Sequence, residues 1–250
     1  MSIIRGLGRI NPSTTALFLC DMQEKFRPMI SYFNQVVLNS NRVLHAAKVM
    51  DMPVLISEQY PKGLGHTAAE IELEKFNLTA HSKTCFTMCF TDLLEELKSQ
   101  QPDTRSIILC GIETQACIHH TTLDLLELGY DVHIPVDCAS SRSMTDRVFG
   151  LQRLRDSGAF LTTSEGLILG LAPDAADPKF RQLQKLVMEP AHETGLVNPN
   201  LVKESNEDED TGITNQKIMM ESSNDSGIVN QKIVVESAHG NQKIMMEQSK

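Results

Sequence analysis

The stretch Ser106–Cys117, SIILCGIETQAC, decides how the chain is read. Ile107–Gly111 is a continuous apolar run, the pattern of a strand buried on both faces. A short turn follows, and Ala116–Leu128 then has helical spacing, with Gly129 placed to end the helix. Cys117 therefore falls at a helix N-terminus, just past the carboxyl end of a strand. Unpaired backbone N–H groups and the positive end of the helix dipole favour its thiolate. In an open α/β sheet, ligands bind at that same edge. This segment proposes a nucleophile, an anion site and an architecture together.

Working outward, strand-like and helix-like segments alternate. Ala16–Cys20 is an apolar run ending at Asp21, and Pro53–Ser57, Asp131–Val136 and Phe160–Thr163 read as further strands. Between them Phe33–Met50, Thr91–Leu97, Met144–Asp156, Glu165–Leu171 and Pro178–Met188 read as helices. Alternation of this kind predicts βαβ units and a mostly parallel sheet. No GxGxxG follows any strand, so a dinucleotide-binding enzyme has little support.

Composition narrows the function. A hydrophobic content of 41% in 250 residues supports a substantial core, while a net charge of −9 argues against a general grip on nucleic acid. The charge is uneven: residues 204–250 hold 4 Lys against 9 Asp and Glu. That region contains three copies of one heptamer, Asn215–Glu221 (NQKIMME), Asn230–Glu236 (NQKIVVE) and Asn241–Glu247 (NQKIMME). Each carries three consecutive apolar residues, too few for a core. Residues 1–200 are expected to form the folded domain, and 201–250 a mainly disordered acidic tail with nascent helical turns. The repeats could also serve as weak docking motifs for a protein partner.

The six cysteines, Cys20, Cys85, Cys89, Cys110, Cys117 and Cys138, form no CxxC pair and no metal-finger spacing. No run approaches the ~20 apolar residues of a membrane span, and the N-terminus lacks the apolar core of a secretory signal. A reduced, cytoplasmic setting is the expectation, with nucleus or mitochondrion as alternatives. No membrane or nucleic-acid partner and no cofactor is expected.

Three residues carry possible chemistry. Asp21, after the first strand, points at the sheet's crevice or serves as a turn or capping residue. Lys83, in HSKTCFTM, is by itself an ordinary surface charge. Cys117 is a nucleophile or a buried thiol. Of its neighbours His119 and His120, only His120 can share its helix face.

Read in order, Asp21-Met22-Gln23 with Phe26, Lys83 in KTCFTM, and Gly111–Cys117 resemble the motifs of the isochorismatase-like cysteine hydrolases, which include nicotinamidases. Glu58–Gly65 (EQYPKGLG), Ser140–Ser143 (SSRS) and Thr163–Leu169 (TSEGLIL) bring the chain nearest the animal branch of that family. The similarity covers residues ~10 to ~190. It implies a three-layer, doubly wound α/β fold with a six-stranded sheet, and a homo-oligomer. It also implies an Asp21–Lys83–Cys117 triad working on a small-molecule amide or related carbonyl through a thioester. The backbone N–H groups of Glu113 and Cys117 would form the oxyanion hole, a cis peptide would join Ile112 to Glu113, and Phe26 and Tyr60 would line the substrate pocket.

The chain departs from the family in two places. Nicotinamidases carry an Asp-x-His metal motif after the second strand. Here the stretch is Ser57-Glu58-Gln59-Tyr60-Pro61, with His66 offset, so no metal is expected and nicotinamide is disfavoured. The family's KxxxSxF becomes Lys83, Thr87 and Cys89, which removes a pocket aromatic. Isochorismatases can dispense with the cysteine, so Cys117 points away from isochorismate. The alternative is a hydrolase-fold protein retained as a binding or regulatory module.

Overall fold

The computed structural model describes residues 7–196, 218–221 and 232–235. Contacts divide the chain into two units, Met1–Val197 and Asn198–Lys250. In the first, the strands are β1 (Thr15–Cys20), β2 (Val54–Gln59), β3 (Ala80–Lys83), β4 (Ser106–Ile112), β5 (Asp131–Pro135), β6 (Ala139–Ser140) and β7 (Phe160–Thr162). The helices are α1 (Phe33–Val49), α2 (Pro61–Leu64), α3 (Thr91–Gln100), α4 (Cys117–Glu127), α5 (Met144–Ser157), α6 (Ser164–Gly170) and α7 (Phe180–Leu186).

The strands form one parallel sheet in the order β3-β2-β1-β4-β5-β7, with β6 paired to the end of β4. The sheet therefore has seven strands, where six were expected. The additional strand is β6, two residues that continue from a short 3-10 turn at Val136–Cys138 and meet Gly111 and Ile112.

Helices cover both faces, which is why the central strands are apolar without alternation. Every residue of β1 and β4 is buried. In β1, Leu17 and Leu19 face one layer with Val43 of α1, Leu167 of α6 and Leu183 of α7. Ala16, Phe18 and Cys20 face the other, with Leu93 of α3, Ile118 and Leu125 of α4, and Leu154 of α5. Each such side chain contributes roughly 1.5–3 kcal/mol on burial, so a strand with two buried faces is held twice over.

Gly111 fixes how closely β4 passes β1. It pairs with Cys20, and a Cβ there would lie 2.4 Å from the Cys20 carbonyl oxygen, at a φ of 151°. Only glycine allows this approach. His133 is a buried polar exception on β5, 2% exposed and stacked on Phe160 with ring centroids 5.0 Å apart. Among the described residues its Nε2 has no hydrogen-bond partner.

In the second unit, Ile218–Glu221 (β8) pairs antiparallel with Lys232–Val235 (β9). These two stretches lie within the first two heptamers and are extended; the Ile-Val-Val run of β9 is β-branched and favours a strand. The rest of the expected disordered tail lies outside the described residues. No described helix is long and apolar enough to cross a membrane.

Two stability measurements check this packing. Gly111→Ala is expected to cost about 2–3 kcal/mol in urea unfolding, through overpacking against Cys20. Burial lowers the His133 pKa, against a smaller opposing effect of Asp131. The neutral ring is therefore the folded form, and its contribution is present above the unfolded histidine value of about 6.5 and declines as pH falls below it. The decline is at most about 1.4 kcal/mol per pH unit. His133→Phe should lose less stability than the parent between pH 7.5 and 5.5; an equal loss would assign the acid sensitivity to other groups.

Candidate functional site

Strand order reverses between β1 and β4, and there the three chemistry-bearing residues converge. Asp21 follows β1, Lys83 ends β3, and Cys117 opens α4 after the turn that leaves β4. This is the crevice in which doubly wound sheets bind ligands.

Asp21 and Lys83 form an ion pair at 2.6 Å with both side chains 1% exposed. Asp21 Oδ1 accepts from Ser57 Oγ at 2.8 Å, and Oδ2 also accepts from Cys20 Sγ at 3.5 Å. Lys83 Nζ donates to Asp21 Oδ2, to Gln59 Oε1 at 2.8 Å, and to the carbonyls of Phe86 and Cys85 at 3.0 and 3.1 Å. Burial acts to lower the Lys83 pKa, but the neighbouring Cys20, Asp21 and Cys117 outweigh it and hold it above the ordinary lysine value. Lys83 is therefore a standing cation and not a base near neutral pH.

Cys117 is 6% exposed, close enough to Lys83 for its charge to bear on that ammonium. Its side chain also lies against the thiol of Cys20. Cys20 is held well above the usual thiol range by burial first, then by its contact with Cys117 and the charge of Asp21. Burial likewise pushes Cys89 up to about 11 and holds Cys138 well above the usual thiol range. Those three cysteines stay protonated thiols. Neither His119 nor His120 hydrogen-bonds Cys117; His120 instead stacks on Phe86.

The turn before Cys117 is built from strained backbone. Glu113 takes φ 65°, as Asp21 takes φ 56° at the end of the neighbouring strand. Non-glycine residues rarely adopt this region outside sites that require it. The Glu113 N–H donates to Ser140 O at 2.7 Å, and Thr114 N to Ser141 Oγ at 3.1 Å. The Thr114 and Ser141 hydroxyls meet at 2.6 Å. Ser140–Ser143 is thus the cradle of the turn that precedes Cys117, and Ser143 in addition caps α5.

Two expectations are corrected at this turn. The peptide bonds of the described residues are all trans, including Ile112–Glu113; the left-handed φ of Glu113 makes the reversal. The Glu113 N–H is engaged by the Ser140 carbonyl and is not open to an oxyanion. The Cys117 N–H makes no hydrogen bond among the described residues. Ala116, at the N-cap, has no polar side chain to cap the helix, so this donor is left unclaimed.

Of the two residues expected to line a pocket, Phe26 is 9% exposed and packs into the core with Ile30 and Phe33. Tyr60 is 55% exposed at the start of α2, and its N–H donates to Lys83 O at 2.8 Å. Glu58 accepts from Thr67 N at 2.7 Å and Thr67 Oγ1 at 2.8 Å, and pairs with His66 Nδ1 at 3.1 Å. No group of three or more potential metal-ligating side chains occurs among the described residues.

Gln23 was quoted in the sequence as part of the Asp21-Met22-Gln23 motif but was given no role of its own. It is fully buried; its amide donates to Gln59 O at 3.0 Å and Gly65 O at 2.6 Å, and its oxygen accepts from Gln59 N at 2.7 Å. It ties the segment after β1 to the end of β2 and so positions Gln59 on Lys83. Its place in that motif, straight after an apolar strand, was its signal.

Comparison with known proteins agrees with this geometry. The isochorismatase domain family matches residues 15–166. Isochorismatase domain-containing protein 2 of Xenopus laevis is 53% identical over 205 residues, covering 80% of this chain and 98% of that one. The Homo sapiens protein of the same description is 53% identical over 191 residues, covering 76% and 91%. A solved structure described as MAR1 ribonuclease from Caenorhabditis elegans is 45% identical with a TM-score of 0.71, covering 76% of this chain and 98% of that one. In sequence and in fold, the chain belongs to the isochorismatase domain family.

Proposed function

We propose that this protein is a cysteine hydrolase in which Asp21, Lys83 and Cys117 cleave a small amide or related carbonyl compound. The observation that carries the reading is the buried Asp21–Lys83 pair set beside Cys117 at the helix N-terminus. Asp21 takes the thiol proton and Lys83 stabilises the resulting sulfur anion. Sulfur attacks the carbonyl carbon, and the Cys117 N–H donates to the developing oxyanion. A donor of this kind is typically worth about 3–4 kcal/mol. The C–N bond breaks as Asp21 returns its proton to the leaving amine, which leaves a thioester on Cys117. Asp21 then deprotonates water, the hydroxide adds to the thioester, and the acid departs as the proton returns to sulfur. One water is consumed for each amide cleaved.

A ribonuclease is the competing reading, raised by the description of the Caenorhabditis elegans relative. The net charge of −9 and the pairing of Lys83 with Asp21 count against it, because a phosphodiester needs cations that are free to meet it.

The full-length protein, incubated with a pool of small primary amides and quenched in acid, should gain a discrete acyl mass on Cys117. Cys117→Ala should gain none and lose amide turnover by at least about 10³-fold. Absence of any Cys117 adduct, together with RNA cleavage that Cys117→Ala retains, would overturn the hydrolase reading.

A further inference from the structure

The loop from β3 to α3 carries a feature that this mechanism leaves unused. Phe86 is 53% exposed, although it adjoins the buried ammonium of Lys83. Its carbonyl and that of Cys85 both accept from Lys83 Nζ, so the loop wraps around the ammonium. Two residues on, Met88 N donates to Thr121 Oγ1 at 3.0 Å and pins the loop to α4. The Phe86 ring stacks on His120, with centroids 5.7 Å apart and planes 24° from parallel. His120 is itself exposed and lies three residues after Cys117, near the same side of the helix. An aromatic surface anchored from both sides thus stands one helical turn from the thiol.

The contact with Lys83 does not explain the ring. Backbone carbonyls make it, and any side chain at position 86 would leave them in place. Exposing an aromatic has a hydrophobic cost, and loops are ordinarily polar. The charges around the nucleophile are also engaged with one another: Lys83 with Asp21, and Glu113 with Arg142 at 3.1 Å. A charged acyl group would have to displace one of these pairs, whereas a flat neutral one has a ring to lie against.

We propose that Phe86 and His120 form the recognition face for a planar, uncharged acyl group, aromatic or conjugated. The proposal rests on the hydrolase reading and names its substrate class. Aromatic contact of this kind corresponds to a preference of about 3- to 10-fold.

Acrylamide and 2-phenylacrylamide serve as probes, since each takes a thiolate at its β-carbon to give a stable thioether and they differ only in the flat ring carried on the acyl group. The full-length protein is treated with each, adducts at Cys117 are quantified by peptide mass spectrometry, and each rate is divided by that of free glutathione. The expected result is a normalised preference of about 3- to 10-fold for the phenyl reagent. It should be retained in Phe86→Tyr, lost in Phe86→Ala and reduced in His120→Ala. Phe86→Leu, which keeps apolar volume without a flat ring, should lose it too and gives the same reading should alanine disturb the loop. No phenyl preference in the parent, or one that survives Phe86→Ala and Phe86→Leu, overturns the recognition face and leaves the hydrolase reading standing. A Cys117 that takes neither reagent overturns both.

Discussion

The ion pair between Lys83 and Asp21 is the constraint to which the rest of the site answers. Both side chains are withdrawn from water, and removing one partner of such a pair typically costs about 3–5 kcal/mol, because a bare charge stays behind. The surroundings are arranged so that neither group is short of partners. Lys83 reaches Gln59 and two loop carbonyls besides Asp21, and Asp21 holds Ser57 and Cys20. Gln59 is in turn held by Gln23. The ends of β1, β2 and β3 are thereby locked in one register around two charges, and the β3–α3 loop is folded over them.

The second requirement is that Cys117 be presented to this pair. Gly111 lets β4 run against Cys20, and Glu113 then turns the chain in a left-handed conformation held by Ser140. That leaves the Cys117 N–H, at the start of α4, without a hydrogen-bond partner among the described residues, while Ile118 N–H donates to Glu113 O. Its neighbour Cys20, fully enclosed beside a carboxylate, is kept as a thiol.

Much of this was legible in the sequence, because β1 and β4 are buried on both faces and read as unbroken apolar runs. Asp21 and Cys117 follow from those runs by position alone. Lys83 did not. Its strand, Ala80–Lys83, is a sheet edge with polar residues, so it lacks both the apolar run and the alternation that mark a strand. Only the order of motifs shared with a family joined it to the other two. The seventh strand was hidden because two residues carry no pattern. The engagement of the Glu113 N–H was hidden because its acceptor, Ser140, lies 27 residues away and meets it only once the sheet is formed. Phe86 could not be told from a core phenylalanine until its exposure and its stack on His120 were seen.

The central claim is that position beside Lys83, and not accessibility, sets thiol reactivity here. Isotope-coded iodoacetamide labelling of the native full-length chain at pH 7, with a rate obtained for each of the six cysteines, tests it most directly. Accessibility alone ranks the exposed Cys85 first and leaves Cys117, 6% exposed, among the slowest. The account predicts that Cys117 alkylates fastest, by about tenfold or more over Cys85, as a stabilised thiolate would. A Cys117 that reacts more slowly than Cys85, with Cys20 and Cys110, would contradict it.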